Sequence, residues 1–211
     1  MYAVIYKNRV IVGPMDWNRG IFQGSLEKEN INVGMPRVAP EILPFIINED
    51  AKVALVEEQR PELNPMVEYY YGPLWDVSGE KAIAVYEVKD TQVEFARENF
   101  KTKAAEERWK KETAGTKVTI QGIEVSLDTS RDGRNIFIQK YSIMSENEVV
   151  NWKFPEGWIT LTKSELGSIV SAGSNYIQSC FDWEKTINDE IMAATSKEDL
   201  LAIVIIEQMV E

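Results

Sequence analysis

Histidine is absent from this chain of 211 residues, and cysteine occurs once. The missing histidine excludes Ser-His-Asp and Cys-His catalytic triads and His-containing zinc sites, and it removes the usual general base near neutral pH. A single cysteine cannot form a disulfide within the chain, so folding must depend on a hydrophobic core. Hydrophobic residues make up 44% of the sequence, which at this length is enough for the core of one domain or of two smaller ones.

Positive charge is also in short supply. The chain has 23 lysines and arginines against 34 aspartates and glutamates, a formal net charge of -11 at pH 7. Because phosphate backbones and anionic lipids repel an acidic protein, we expect neither nucleic acid nor a membrane among its partners. No run approaches the roughly 20 uninterrupted apolar residues that a membrane span requires, and the first residues have the pattern of a strand rather than of a signal peptide.

Residues 1–89 are predicted to form a small, antiparallel, β-rich domain. Residues 2–6 and 9–12 are apolar and β-branched, and Lys7-Asn8 between them has the length of a tight hairpin turn. Gly13-Pro14 is expected to end this pairing. The remaining predicted strands are 45–47 and 52–57, which form a second hairpin, then 66–71, closed by Gly72-Pro73, and 81–88.

Residues 16–44 are rich in glycine, proline and asparagine, and this composition predicts a long irregular loop. Trp17, Ile21-Phe22 and Val33 are its candidate apolar anchors. Because long loops without a core of their own often become ordered on a partner, we expect this loop to wrap a neighbouring protein.

Residues 90–114 predict a long amphipathic helix, since apolar residues recur at helical spacing, the opposite face is charged and Gly115 stands at the C-terminal cap. Residues 117–127 then alternate around Gly122, and residues 135–143 alternate again. We therefore predict a β-hairpin with a flexible tip at 128–134.

The last third of the chain has clear helix start signals. Thr162 and Glu165 form a capping box, and apolar residues then follow one helical face to Ile191. A second start signal at 195–199 predicts a last helix over 200–209. Residues 90–211 are therefore expected to form a second domain of a long helix, a hairpin and C-terminal helices, which makes the whole chain α+β.

The aromatic residues have two possible roles. Stacking on sugars is one, but strand aromatics alternate between faces, and we favour packing in the core or at an interface. The candidate partner-interface residues are Trp17, Phe22, Val33, Tyr70 and Trp75. Four others are assigned structural roles: Trp152 and Trp158 as turn anchors, Phe181 in the helical core, and Cys180 as a small buried hydrophobe.

No motif in the chain carries chemistry. The segment 128–134 superficially resembles a calcium loop, but its acidic spacing is wrong and a plain turn is favoured. The segment 20–25 has two glycines but lacks the lysine of a phosphate-binding loop. We expect acidic pairs such as Glu57-Glu58 to be solvated surface. The sequence thus predicts no catalytic residues, no metal site and no cofactor, and hence not an enzyme.

The order of motifs in the second half resembles a known module. After the charged helix and the Gly122 hairpin come Trp152-Lys153, Gly157-Trp158, Leu161-Thr162, Tyr176-Ile177-Gln178, Cys180-Phe181, Glu184 and Ile191 with Ala193-Ala194. This order resembles a domain of unknown function that recurs in tail-fibre, tail-fibre-assembly and baseplate-associated proteins of tailed bacteriophages. The resemblance covers residues 90–211.

The resemblance implies a structural role in a virus. We expect a virion protein of the tail or baseplate, assembled in the host cytoplasm, that connects the tail or baseplate to tail fibres. Its partners would be other tail, baseplate or tail-fibre proteins, with several copies in a symmetric assembly. Two alternatives remain open: a tail-fibre assembly chaperone that is absent from the finished particle, and a host-glycan-binding receptor module.

Overall fold

The computed structural model describes residues 1–205, and it confirms the α+β class. The chain divides into two compact units, one spanning Met1–Thr91 and the other beginning at Gln92. Each unit is described by itself.

The first unit is built on one mixed sheet. Its strands are β1 (Tyr2–Tyr6), β2 (Arg9–Met15), β3 (Phe45–Ile46), β4 (Ala51–Gln59), β5 (Glu68–Asp76) and β6 (Ala82–Asp90). The order is β2-β1-β4-β6-β5, and β3 also pairs with β4. Both predicted hairpins are confirmed, with Lys7 and Asn8 in the left-handed conformation at φ 46° and 57°. One pair, β4 with β6, is parallel, which the prediction of an antiparallel domain did not include.

Two strands run through the Gly-Pro pairs that were expected to end them. Strand β2 continues to Met15, which pairs with Tyr2, and β5 continues through Gly72-Pro73 with a register shift between Tyr71 and Leu74. Both are edge strands, where the missing amide hydrogen of proline does not break a central ladder. The glycines take φ of +117° and +126°, which allows each strand to shift register and resume pairing.

The loop predicted over 16–44 was wrong in part, because it contains helix α1 (Arg19–Lys28). The side chain of Asn18 caps this helix by accepting from the Ile21 amide at 3.1 Å. Phe22 and Leu26, one turn apart, are both buried against the sheet residues Val4 and Val53. This burial outweighs the poor helix propensity of the two glycines in the helix.

The second unit begins with a long helix. Its elements are α2 (Val93–Thr113), β7 (Thr116–Ile120), β8 (Ile123–Leu127), α3 (Arg131–Ile143), β9 (Val149–Phe154), β10 (Gly157–Thr162), α4 (Lys163–Ala193) and α5 (Lys197–Ala202). The predicted long helix is confirmed, and Gly115 follows it at φ +91°. The capping box of Thr162 and Glu165 at the start of α4 is also confirmed. The residues described, 1–205, include no helix long and apolar enough to cross a bilayer.

The predicted strand over 135–143 was wrong, because this segment is helix α3. Ser130 caps the helix by accepting from the Gly133 amide at 3.2 Å, and the Asp128 side chain accepts from the Ser130 amide at 2.8 Å. These local bonds start a helix where we predicted a flexible tip. The hairpin partner of β7 is β8, which follows directly after the turn at Gln121-Gly122.

The region of Trp152 and Trp158 is a second hairpin, with β9 and β10 joined at Pro155-Glu156. The two tryptophans therefore lie in strands and do not anchor a turn. The last predicted helix, 200–209, is shorter and begins earlier, since α5 starts at Lys197 after a capping box of Ser196 and Asp199. It ends at Ala202, and residues 206–209 lie outside the described part of the chain.

Both hairpins of the second unit share a core with α3 and α4. Its buried members are Ile120, Val125, Leu127, Phe137, Met144, Phe154, Ile159, Leu161, Leu166 and Ile169. Each hairpin contributes one face of alternating residues, as strands that are half-buried do.

Candidate interaction site

Three of the predicted interface residues belong to the core of the first unit. Phe22 is 0% exposed, and Trp17 contacts it edge-to-face at 5.1 Å between ring centroids. Trp17 also contacts Tyr2 at 5.6 Å, and Val33 packs against the same buried cluster. The prediction that these residues face a partner is therefore corrected, because α1 brings Phe22 inward and Trp17 and Val33 cover it.

The other two predicted interface residues are also packed within the first unit. The Tyr70 hydroxyl donates to the Pro61 carbonyl at 2.8 Å, and its ring lies 5.7 Å from that of Tyr86. Trp75 packs against the buried cluster on the second face of the sheet. The exposed rings of β5 are those of Tyr69 and Tyr71, because successive strand residues point to opposite faces.

Of the four residues assigned structural roles, two are exposed. Trp158 is 70% exposed on the outer face of the β9-β10 hairpin, and Phe181 is exposed beneath the Arg108 guanidinium, 4.6 Å from its ring centroid. Both were expected to be structural, and both are corrected. Trp152, on the inner face of its hairpin, stacks on Phe137 with ring centroids 4.4 Å apart and an interplanar angle of 22°.

Cys180 is fully buried in α4, where burial raises the pKa of its thiol. A protonated, inaccessible thiol is a poor nucleophile. We expect no reaction of the native protein with a disulfide reagent such as DTNB at mildly alkaline pH, and complete reaction in concentrated guanidinium chloride.

A neighbouring position provides the control for this labelling experiment. Ser179 is the exposed residue next to Cys180. In a protein that carries both Ser179→Cys and Cys180→Ala, the thiol is expected to react in the native state. Rapid labelling of the native wild-type protein would contradict the burial of Cys180.

A buried ionic network joins three helices of the second unit. Glu112 of α2 is 3% exposed, and its two carboxylate oxygens accept hydrogen bonds from Arg108 and, at 2.9 Å, from Arg134 of α3. Arg108 also donates to Glu184 of α4 at 2.8 Å. The buried Thr129 hydroxyl completes the junction by donating to the Glu112 carbonyl at 2.6 Å. The sequence gives one signal of this network, the i,i+4 pair of Arg108 and Glu112.

Next to this junction lies a cleft of about 700 Å³, within the range of ligand-binding pockets. We call it the α3 cleft, because α3 forms one wall. Its apolar lining is Leu127, Ile136, Phe137, Trp152, Phe154 and Pro155, and its polar lining includes Lys117, Ser126, Asp128 and Lys153.

Two glycines shape the walls of the α3 cleft. A Cβ atom on Gly133 would lie 2.5 Å from Cγ of Asp128, which is too close for any other residue. Gly115 has φ +91°, and a Cβ atom there would lie 3.0 Å from the Leu127 carbonyl oxygen. Gly133 therefore allows α3 to approach Asp128 closely, and Gly115 allows the chain at the start of β7 to approach Leu127 of β8.

Two ionisable side chains in the lining of the α3 cleft already have hydrogen-bond partners. The Asp128 carboxylate accepts from the Ser130 amide, and the Lys117 ammonium donates to Glu124 at 2.6 Å. This hydrogen bond raises the pKa of Lys117, so the amine stays charged. Residues 1–205 contain no cluster of three acidic or cysteine side chains placed to hold a metal ion.

Helix α3 leaves most of its apolar side chains in solvent. Only Gly133 and Phe137 of this helix are buried. Its exposed apolar residues lie on two sides of the helix, Ile136 and Ile143 on one and Ile138 and Tyr141 on the other. We call Ile136 and Ile143, the latter 76% exposed, the α3 face. Sequence reasoning missed this surface because it assigned the segment to a strand.

Comparison with known proteins gives one match. Residues 95–205 match the model of a family described as "Domain of unknown function (DUF4376)". No curated protein and no solved structure matches the chain.

Proposed function

This chain belongs to the DUF4376 family, and we propose that it is a non-enzymatic structural protein of a phage tail or baseplate, an adaptor that connects the tail or baseplate to tail fibres. The family description states no activity. The support for the proposal is the resemblance of residues 90–211 to phage tail modules together with the surface of the second unit.

The observation that carries the proposal is the exposed α3 face. A solvated helix ordinarily presents polar residues to water, whereas Ile136 and Ile143, seven residues apart on one side of α3, are apolar and exposed. Fully burying one such side chain stabilises by about 1.5–3 kcal/mol. A protein partner that covers these residues would gain this free energy, and grouped exposed apolar residues are a mark of protein interfaces.

The proposed partners are other tail, baseplate or tail-fibre proteins. Tail assemblies are symmetric, so the same α3 face would be used in every copy of the chain. The site of action would be the virion tail, after assembly in the host cytoplasm.

Mass spectrometry of purified particles of the encoding phage tests this function. The adaptor proposal expects the protein at a copy number that matches the tail symmetry. Its absence from the particles would exclude the adaptor and favour the assembly chaperone. A chaperone should increase the yield of folded fibre subunits when this chain and the fibre protein are expressed together.

The same particles test the α3 face. Ile143→Asp is expected to weaken the contact at least tenfold, as expected for an interface anchor, and so to lower incorporation. Stability should change by less than about 0.5 kcal/mol, because the side chain is exposed. Ser142→Asp is the matched control, since it adds the same charge at the adjacent exposed position without removing an apolar group.

One observation favours the receptor module as a second candidate. Trp158 is exposed on the same outer face as Asn151 and Thr160, whose side chains are hydrogen-bonded at 2.7 Å. An exposed tryptophan beside polar side chains suits stacking on a sugar ring. Binding on a glycan array that is lost in Trp158→Ala would support this candidate, and a blank array would exclude it.

A further inference from the structure

Strand β9 has one free edge. In residues 1–205 it pairs only with β10, through a register in which Phe154 faces Gly157 across the turn. In such a hairpin the residue pair next to a two-residue turn is hydrogen-bonded, and so is every second pair after it. The hydrogen-bonded pairs here are Phe154 with Gly157, Trp152 with Ile159, and Val150 with Leu161. The backbone N–H and C=O groups of Asn151 and Lys153 therefore point away from β10.

The outward backbone groups of β10 and β8 follow the same alternation, and two of them have hydrogen-bond partners outside their hairpin. The outward carbonyl of Thr160 in β10 accepts from the Gln121 side chain at 2.9 Å. The outward amide of Ser126 in β8 donates to the Glu156 carboxylate at 3.0 Å. Side chains of the same unit thus occupy groups on the edges of β10 and β8.

The α3 cleft runs along the free edge of β9. Trp152 and Phe154 point to the inner face of the hairpin and Lys153 points to the outer face, as alternation in a strand requires. The cleft is nevertheless lined by all three of these consecutive residues. A cleft that touches residues from both faces lies at the strand edge. Its other walls include Ile136 and Phe137 of α3 and residues 126–128 at the end of β8.

We propose that an extended segment of a partner protein binds in the α3 cleft by adding as a strand to the free edge of β9. This inference rests on the proposed adaptor function and names its mode of contact. Main-chain groups at the edge specify a polypeptide in extended conformation, because such a chain presents matching donors and acceptors at the same spacing.

The lining defines the side chains of this segment. Residues that point inward contact Ile136 and the Trp152 ring, so they are apolar. Residues that point outward pass Lys153, whose ammonium has no ion-pair partner within residues 1–205 and lies 6.0 Å from the Trp158 ring centroid. An acidic residue at this outward position complements the lysine charge. The partner segment therefore alternates apolar and acidic residues.

Nuclear magnetic resonance of the full-length, ¹⁵N-labelled chain tests the proposal with a defined probe. The probe is the capped peptide Thr-Leu-Glu-Val-Glu-Leu-Thr, which has the required alternation. We expect chemical-shift changes concentrated at Asn151, Lys153 and Ile136, and slower exchange of the Lys153 amide hydrogen when the edge is paired. No change at these residues at millimolar peptide would overturn the proposal.

Peptide variants serve as controls that leave the protein intact. N-methylation of alternate residues removes main-chain donors while keeping the side chains, and it should abolish binding. Equal binding of the methylated peptide would overturn strand addition. A peptide with lysine in place of both glutamates should bind roughly tenfold more weakly, because it faces Lys153 with like charge.

Protein variants test the two walls of the α3 cleft. Ile136→Glu should remove binding, whereas Gln139→Glu, at an exposed position of the same helix, should leave it unchanged. Peptide binding that persists in Ile136→Glu would place the contact elsewhere.

The adaptor proposal and the strand-addition proposal can fail independently. If the chain is found in the virion but does not bind the peptide, the adaptor function stands and strand addition is overturned. A chain that binds the peptide but is missing from particles loses the adaptor function alone.

Discussion

Replacing Glu112 with glutamine is expected to lower the free energy of unfolding of the second unit by about 3 kcal/mol, because removing one partner of a buried ion pair leaves the other charges uncompensated. The Glu112 carboxylate accepts from both Arg108 and Arg134. In the variant, one acceptor oxygen is replaced by an amide group that donates. The expected loss lies at the lower end of the range for buried pairs, because both arginines are partly exposed to water.

Chemical denaturation followed by circular dichroism measures this loss as a shift of the unfolding midpoint. Glu106→Gln is the matched control, since Glu106 lies on the same helix and is exposed. Its effect should stay within about 0.5 kcal/mol. If both variants unfold at the same denaturant concentration, the network does not hold α2 and α3 together.

For the first unit, we expect Phe22→Ala to lower the free energy of unfolding by about 3–5 kcal/mol, the usual cost of removing a buried phenylalanine side chain. Phe22 fills the space between α1 and the sheet, and Trp17 packs edge-to-face on it. Removing the ring leaves a cavity and an unsupported tryptophan. The result distinguishes a core residue from the interface residue that the sequence predicted.

The preceding residue provides the control for Phe22. Ile21 is exposed on the same helix, so Ile21→Ala should change stability by less than about 0.5 kcal/mol. Thermal unfolding of both variants separates the two effects. A Phe22→Ala protein as stable as the wild type would mean that α1 does not dock on the sheet.

The elements predicted correctly have signals within a few residues. Lys7-Asn8 makes a two-residue turn, and Thr162 with Glu165 makes a capping box, so hydrogen bonds close in sequence decide both. The 90–114 helix was predicted because its apolar period repeats over several turns. The prediction of a strand over 135–143 failed because two local signals disagree. Ile136 and Ile138 alternate as in a strand, whereas the Ser130 side chain caps the start of a helix.

The α3 cleft was not predictable in this way. Trp152 was noticed as an aromatic residue, but its partner Phe137 lies 15 positions earlier in a segment assigned to the wrong element. The cleft takes its walls from α2, β7, β8, α3 and β9. No local pattern reports that these elements meet, because the meeting depends on packing around a shared core.

The sequence by itself determined the α+β class, the Lys7-Asn8 turn, the caps that start α4 and α5, and the absence of histidine-based chemistry, because composition and short-range hydrogen bonding decide these properties. Tertiary structure alone decided which aromatic and aliphatic side chains face water. It buried Phe22 beneath α1, exposed Trp158 on the outer face of its hairpin, and left Ile143 in solvent. Whether an apolar side chain is core or surface depends on which elements pack over it, and that is fixed by contacts between residues distant in the chain.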